Sequence, residues 1–134
     1  QYMFSSCSSL VSVDLSSFST ENVINMEQIF YGCSLLKSID MSSFKTPNVT
    51  NVCNMFNMCY ALTSLDLSNF DTSKVTNMNW TFSNLRSLKT LTLGENFAFY
   101  GTVHGLTGTW VNSAREEFDA KEIPGNAADT YTKI

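Results

Sequence analysis

The chain repeats itself every 26 residues, and no other feature limits its fold so tightly. Set against itself at that offset, Phe4, Phe30, Phe56 and Phe82 form one column. Cys7, Cys33, Cys59 and Leu85 form the next, followed by Leu10, Leu36, Leu62 and Leu88. Val13, Ile39, Leu65 and Leu91 make another, as do Leu15, Met41, Leu67 and Leu93. Phe18, Phe44 and Phe70 continue the apolar set, with Phe97 one residue out of phase. Polar columns run between them: Asp14, Asp40 and Asp66; Thr20, Thr46 and Thr72; Asn25, Asn51 and Asn77. A unit this short cannot bury its apolar side alone, so the units must stack and share one core.

The phase of the unit follows from its periods. In Leu62-Thr-Ser-Leu65-Asp66-Leu67 the last four residues alternate, which predicts a strand with Leu65 and Leu67 inward and Ser64 and Asp66 outward. From Val75 the apolar residues fall at Val75, Met78, Phe82 and Leu85, which is helical spacing, with Thr76 or Asn77 as the N-cap. Ser68 to Ser73 has turn composition around one buried anchor, Phe70. The expected fold is therefore an α/β repeat solenoid, a stack of strand-turn-helix units with strands lining one face.

L-x-x-L-x-L is also the strand signature of leucine-rich repeats, and the 26-residue length lies within their range. Leu62 to Met78, LTSLDLSNFDTSKVTNM, resembles the 26-residue repeat of the BspA-like leucine-rich-repeat proteins of bacterial surfaces. The resemblance covers roughly residues 2–93. It implies a solenoid carried on a bacterial cell surface, extracellular and adhesive. The run from Gly108-Thr-Trp110-Val111 to Ala128-Asp129-Thr130-Tyr131 is more loosely similar to segments that follow such repeats in Gram-positive surface proteins.

Tyr2-Met3-Phe4 corresponds to Gln28-Ile29-Phe30, so the chain opens in the middle of a unit, and the expectation is a fragment of a longer secreted protein. Residues 1–93 hold about 3.5 repeats, and residues 94–134 form an atypical last repeat and an irregular, β-containing C-terminal cap. Gly94-Glu95-Asn96-Phe97 adds a residue to the pattern, as a terminal unit covering the last core layer often does. The cap is also the more acidic part, at −3 against −1 for the repeats.

Composition excludes several function classes. Ser, Thr and Asn supply 45 of the 134 residues, so no 18-residue apolar span exists to insert into a membrane. A net charge of −4 argues against a nucleic-acid partner, which needs clustered Lys and Arg. The single histidine, His104, stands beside no nucleophile motif, and Glu116, Glu117, Asp119 and Glu122 read as a solvated stretch. No catalytic, cofactor or metal residue is assigned, and no cofactor is expected.

Three columns bear on function. Cys7, Cys33 and Cys59 stack about 5 Å apart, close enough for a disulfide, but they point the same way and Leu85 substitutes in their column, so free core thiols are expected. Cys53, aligned with Glu27 and Asn79, should be more exposed and more reactive. Asp14, Asp40 and Asp66 should stand side by side; they either accept hydrogen bonds from flanking serines and backbone N–H groups, or face a basic partner or a cation. The Thr and Asn columns read as backbone ligands at turns. Tyr31 and Tyr60 are contact residues or rim packing.

The expected ligand face is the strand-lined one, centred on Ser38, Asp40, Ser64, Asp66 and Thr90. Its expected partner is a protein or glycan of a host or neighbouring cell, and the open end of the array invites end-to-end self-association. The competing expectation is a spacer with no ligand of its own. A uniform Ser/Asp ladder favours the spacer, and a varied aromatic or charged patch favours adhesion.

Overall fold

The computed structural model describes residues 2–134. Strand β1 spans Ser64–Leu67, with Leu65 and Leu67 buried and Ser64 and Asp66 exposed, as their alternation predicts. Strand β2, Thr90–Leu93, lies parallel to it one unit later and pairs Leu65 with Leu91 and Leu67 with Leu93. The apolar columns thereby become layers of one core. Three strands follow: β3, Thr109–Val111; β4, Glu117–Asp119; and β5, Asp129–Lys133. They join the same mixed sheet in the order β1-β2-β5-β3-β4, with β5 antiparallel to both β2 and β3. Trp110 and Tyr131 are buried beneath this extension, and Phe118 meets Tyr131 edge to face at 6.0 Å.

The expected α/β solenoid of strand-turn-helix units is overturned, because the described residues form no helix and the fold is all-β. Val75, Met78, Phe82 and Leu85 are buried as their spacing requires, but successive turns bury them. The backbone N–H groups show why. Those of Met26, Gln28, Phe30 and Gly32 donate to the carbonyls of Asn51, Cys53, Met55 and Asn57 in the next unit, at 2.8–3.0 Å. Val52, Asn54, Phe56 and Met58 donate in the same way to Asn77, Asn79, Thr81 and Ser83. An N–H aimed along the stack cannot also close an i→i−4 helical bond.

Two columns of left-handed residues enforce the break. Tyr2, Gln28, Asn54 and Trp80 have φ of 60, 55, 56 and 55°. Ser6, Gly32, Met58 and Asn84 have φ of 61, 71, 64 and 61°. A left-handed residue every four positions ends each turn before a helix can propagate. Thr76 and Asn77 consequently cap no helix.

Other columns stitch the units together. The Thr46 hydroxyl donates to the Asp71 carbonyl at 2.9 Å and accepts the Asp71 N–H at 2.8 Å. Thr20 clamps Lys45, and Thr72 clamps Ala98, by the same two bonds. The last clamp spans one more residue than the others, which is where the insertion that moves Phe97 out of phase is absorbed. Phe4, Phe30 and Phe56 stack face to face at 5.5 and 5.9 Å, and Phe82 continues the pile at 6.3 Å. Phe97 and Phe99 then close it edge-on. Segments 12–15 and 38–41 keep the strand alternation in burial but are not strands. Single backbone bonds, Lys37 N–H to Val11 and Thr63 N–H to Lys37, join these early layers where β1 and β2 share a full ladder.

Candidate functional site

Parallel and antiparallel pairing both place opposed residues on the same side of a sheet, so the solvent side of the structure can be read strand by strand. Ser64 and Asp66 stand on β1, Thr90 and Thr92 on β2, and Thr132 and Thr130 opposite them on β5. Val111 and Thr109 on β3, then Glu117 and Asp119 on β4, complete the face. Ser38 and Asp40 lie exposed in the unit before β1. The five residues singled out above therefore occupy one side of the stack, Thr90 half-buried and the other four exposed. Sequence reasoning missed the second half of this face. The signal was present in the alternations Thr90-Leu91-Thr92 and Thr130-Tyr131-Thr132, two hydroxyls flanking one buried apolar residue. Thr92 and Thr130 share a hydrogen bond across the strands at 3.1 Å.

The carboxylates on this side are held by their own chain. Asp14, Asp40 and Asp66 each accept the backbone N–H two residues on, from Ser16, Ser42 and Ser68, at 2.9 Å. These are Asx turns. The Ser16 backbone N–H, with the Ser16 hydroxyl behind it, holds the Asp14 carboxyl below the usual aspartate range. The Ser42 hydroxyl and N–H do the same for Asp40 and outweigh the opposing charge of Asp14. Asp40 and Asp66 line one shallow hollow of about 230 Å³ with Ser42, Ser68 and Asn69. Among the described residues, no three His, Cys, Asp or Glu side chains gather as metal ligands.

The Asn column repeats the motif on another side. Asn25, Asn51 and Asn77 accept the N–H groups of Glu27, Cys53 and Asn79, and short parallel bridges link the three. All four cysteines are free. The thiols of Cys33 and Cys59 donate to the carbonyls of Phe4 and Phe30 in the preceding unit, both at 3.1 Å. Burial pushes their pKa values up to about 11 and about 12. Cys53 corrects its expected exposure: it is buried at 7%. It sits in the middle layer, with the Asn54 amide folded onto its sulfur at 3.3 Å. Cys7, in the first layer, is the exposed thiol.

His104 is buried against Phe99, with ring centroids 4.6 Å apart, and its Nδ1 accepts the Leu106 N–H. Burial lowers its pKa. Tyr60 is half-buried under the Arg86 guanidinium, 4.5 Å from its ring centroid, so it is a support as well as a surface residue. Trp80 and Tyr100 are each half exposed at 50%, away from the sheet face.

A family model described as Mycoplasma protein of unknown function, DUF285, matches residues 1–98. The match covers the 26-residue units and ends before the first added strand of the cap, which starts at Thr109. No curated protein and no solved structure matches the chain.

Proposed function

This chain belongs to the DUF285 family, and from that premise we propose that it is a non-catalytic module of a bacterial surface protein. It binds a protein or glycan of a host or neighbouring cell through the solvent side of its sheet. Extracellular placement is supported by the family's association with BspA-like surface repeat proteins. The observation that carries the binding role is the continuity of the face. The cap does not merely plug the core; β5, β3 and β4 extend the repeat face sideways, so the outward row Ser64, Thr90 and Thr132 continues into Val111 and Glu117. Short polar side chains on a plane suit a broad partner that brings its own hydrogen-bonding groups.

The spacer reading has its own support. Over the repeats the face is a uniform Ser/Asp ladder, and its carboxylates are already bound in Asx turns. The cap part differs, because Val111, Glu117 and Asp119 break the uniformity. A binding screen against immobilised extracellular-matrix proteins and a glycan array tests the proposal. It is run with an Asp40→Ala/Asp66→Ala variant and with Thr132→Lys, which places a long charged chain mid-face. Saturable binding lost in both variants supports the sheet face. A folded protein that binds nothing leaves the spacer reading.

A further inference from the structure

We infer that the chain carries a separate binding site for an acidic sugar, one residue bearing a carboxylate or sulfate, at the strand ends beside Arg86 and Lys133. It goes beyond the sheet-face reading and does not depend on it. A hollow of about 250 Å³ is lined by Asn84, Leu85, Arg86, Gly105, Thr107 and Lys133. Two cations meeting in one concavity are unexpected in a chain with 8 basic residues and a net charge of −4. Neither has a carboxylate partner: the ion pair among the described residues is Lys45–Glu21, elsewhere on the surface.

Both cations are held in place by apolar neighbours. Arg86 lies over the Tyr60 ring at 4.5 Å, which fixes the guanidinium plane and leaves its donors free for an oxyanion. Lys133 lies 5.8 Å from the Trp110 ring centroid, on the inner side of β5 and not on the hydroxyl face. Its stem passes over Gly108, where a Cβ would come within 2.5 Å of its Cε. Gly108 has φ of 96° and Gly105 has φ of 84°, so this loop is built to pass close to the side chains it borders.

The neutral groups around the charges favour a sugar over a bare ion. Asn84 donates its amide N–H to Asn57 at 3.0 Å, which leaves its carbonyl oxygen as an acceptor at the hollow. The Thr107 hydroxyl makes no hydrogen bond among the described residues, although its backbone carbonyl accepts from Trp110. An acceptor and a free hydroxyl beside two cations are complementary to a ring that offers hydroxyls and one negative group.

The test is an amide and side-chain NMR titration of the 134-residue protein at low salt with glucuronate, glucose 6-sulfate, acetate, inorganic sulfate and glucose. The expected result is saturable shifts at Gly105, Thr107 and the Arg86 Nε–H with glucuronate or glucose 6-sulfate. Acetate, sulfate and glucose should bind at least fivefold more weakly. Arg86→Gln and Lys133→Gln should each weaken the acidic sugar about fivefold, the scale of one exposed charge pair, while resonances outside the hollow stay in place. Absence of saturable shifts at these groups overturns the site, as does binding unchanged in both variants. Acetate or sulfate binding as well as its sugar counterpart overturns the sugar assignment. The sheet-face variants Asp40→Ala/Asp66→Ala should titrate like the wild type, which separates this site from the sheet face.

Discussion

At the scale of single residues, cross-layer position governs chemistry. Cys33 and Cys59 are buried thiols whose protons point at a carbonyl of the preceding unit. With pKa values near 11 and 12 they hold almost no thiolate at pH 8. Cys7 belongs to the same column but is exposed. Iodoacetamide at pH 8 should therefore label Cys7 alone in the folded protein and all four cysteines in urea, as peptide mass mapping would show; fast labelling of Cys59 would refute its packing. The aspartates make a second case. Serine hydroxyl and N–H donors lower the folded pKa values of Asp14, Asp40, Asp71 and Asp129. A lowered folded pKa contributes stability above the ordinary aspartate value of about 3.9, and that contribution disappears as pH falls through the folded value. The melting temperature should begin to fall below about pH 6.5, where unfolded His104 takes up a proton that its buried folded form resists, and fall further below about pH 4 as the aspartates protonate; the second limb should be shallower in Asp14→Asn/Asp40→Asn, and a second limb unchanged in that variant would count against the Asx turns. Sequence could identify these residues by column. It could not say that Cys53 is covered, because its neighbours Glu27 and Asn79 are polar and the covering comes from Asn54.

At the scale of elements, the strand phase was legible and the helix was not. Leu65 and Leu67 alternate with Ser64 and Asp66, and a period of two has one structural meaning. The spacing Val75, Met78, Phe82, Leu85 has two. It buries one side of a helix, and it equally buries every third or fourth residue of a run of turns. The backbone φ distinguishes the two. Gly32, Asn54 and Asn84 are residue types that favour the left-handed region, and they fall in its two columns. Gln28, Met58 and Trp80 occupy the same columns and dilute the signal. The join between β2 and the turn after it offers a sharper test. A Cβ on Gly94 would lie 1.8 Å from the Ser68 carbonyl oxygen, a backbone atom that cannot swing aside. Gly94→Ala should cost at least about 2 kcal/mol in urea unfolding, whereas Gly101→Ala meets nothing within 4 Å and is limited to the strain of its φ of 70°. Equal costs at the two positions would contradict the close approach of β2 to β1's exit.

At the scale of the whole molecule, which residues face each other between layers was readable from the columns, as Leu65 with Leu91 and Phe30 with Phe56 show, while the role of the cap was not. Nothing in the spacing of Trp110, Phe118 and Tyr131 says that their strands join the repeat sheet, since sheet order is set by long-range pairing and not by local period. The stack also has a direction. Phe4, Leu10, Phe18 and Val23 are half-buried, while their equivalents Phe30, Leu36, Phe44 and Val49 are buried. Stability in such an array is a sum over neighbouring layers, so in the 134-residue chain taken by itself the half-covered layer opens first. Amide exchange should be fastest in residues 2–24 and slowest around β1 and β2; uniform protection would show a single cooperative unit. Layer-to-layer backbone hydrogen bonds, and not helices, hold the units together. The most direct measurement is the scalar coupling across hydrogen bonds between amide nitrogen and carbonyl carbon. Couplings are expected from Gln28 to Cys53, Phe30 to Met55, and Asn54 to Asn79. Couplings from these amides to carbonyls four residues earlier in their own unit would contradict this bonding pattern and restore the helix.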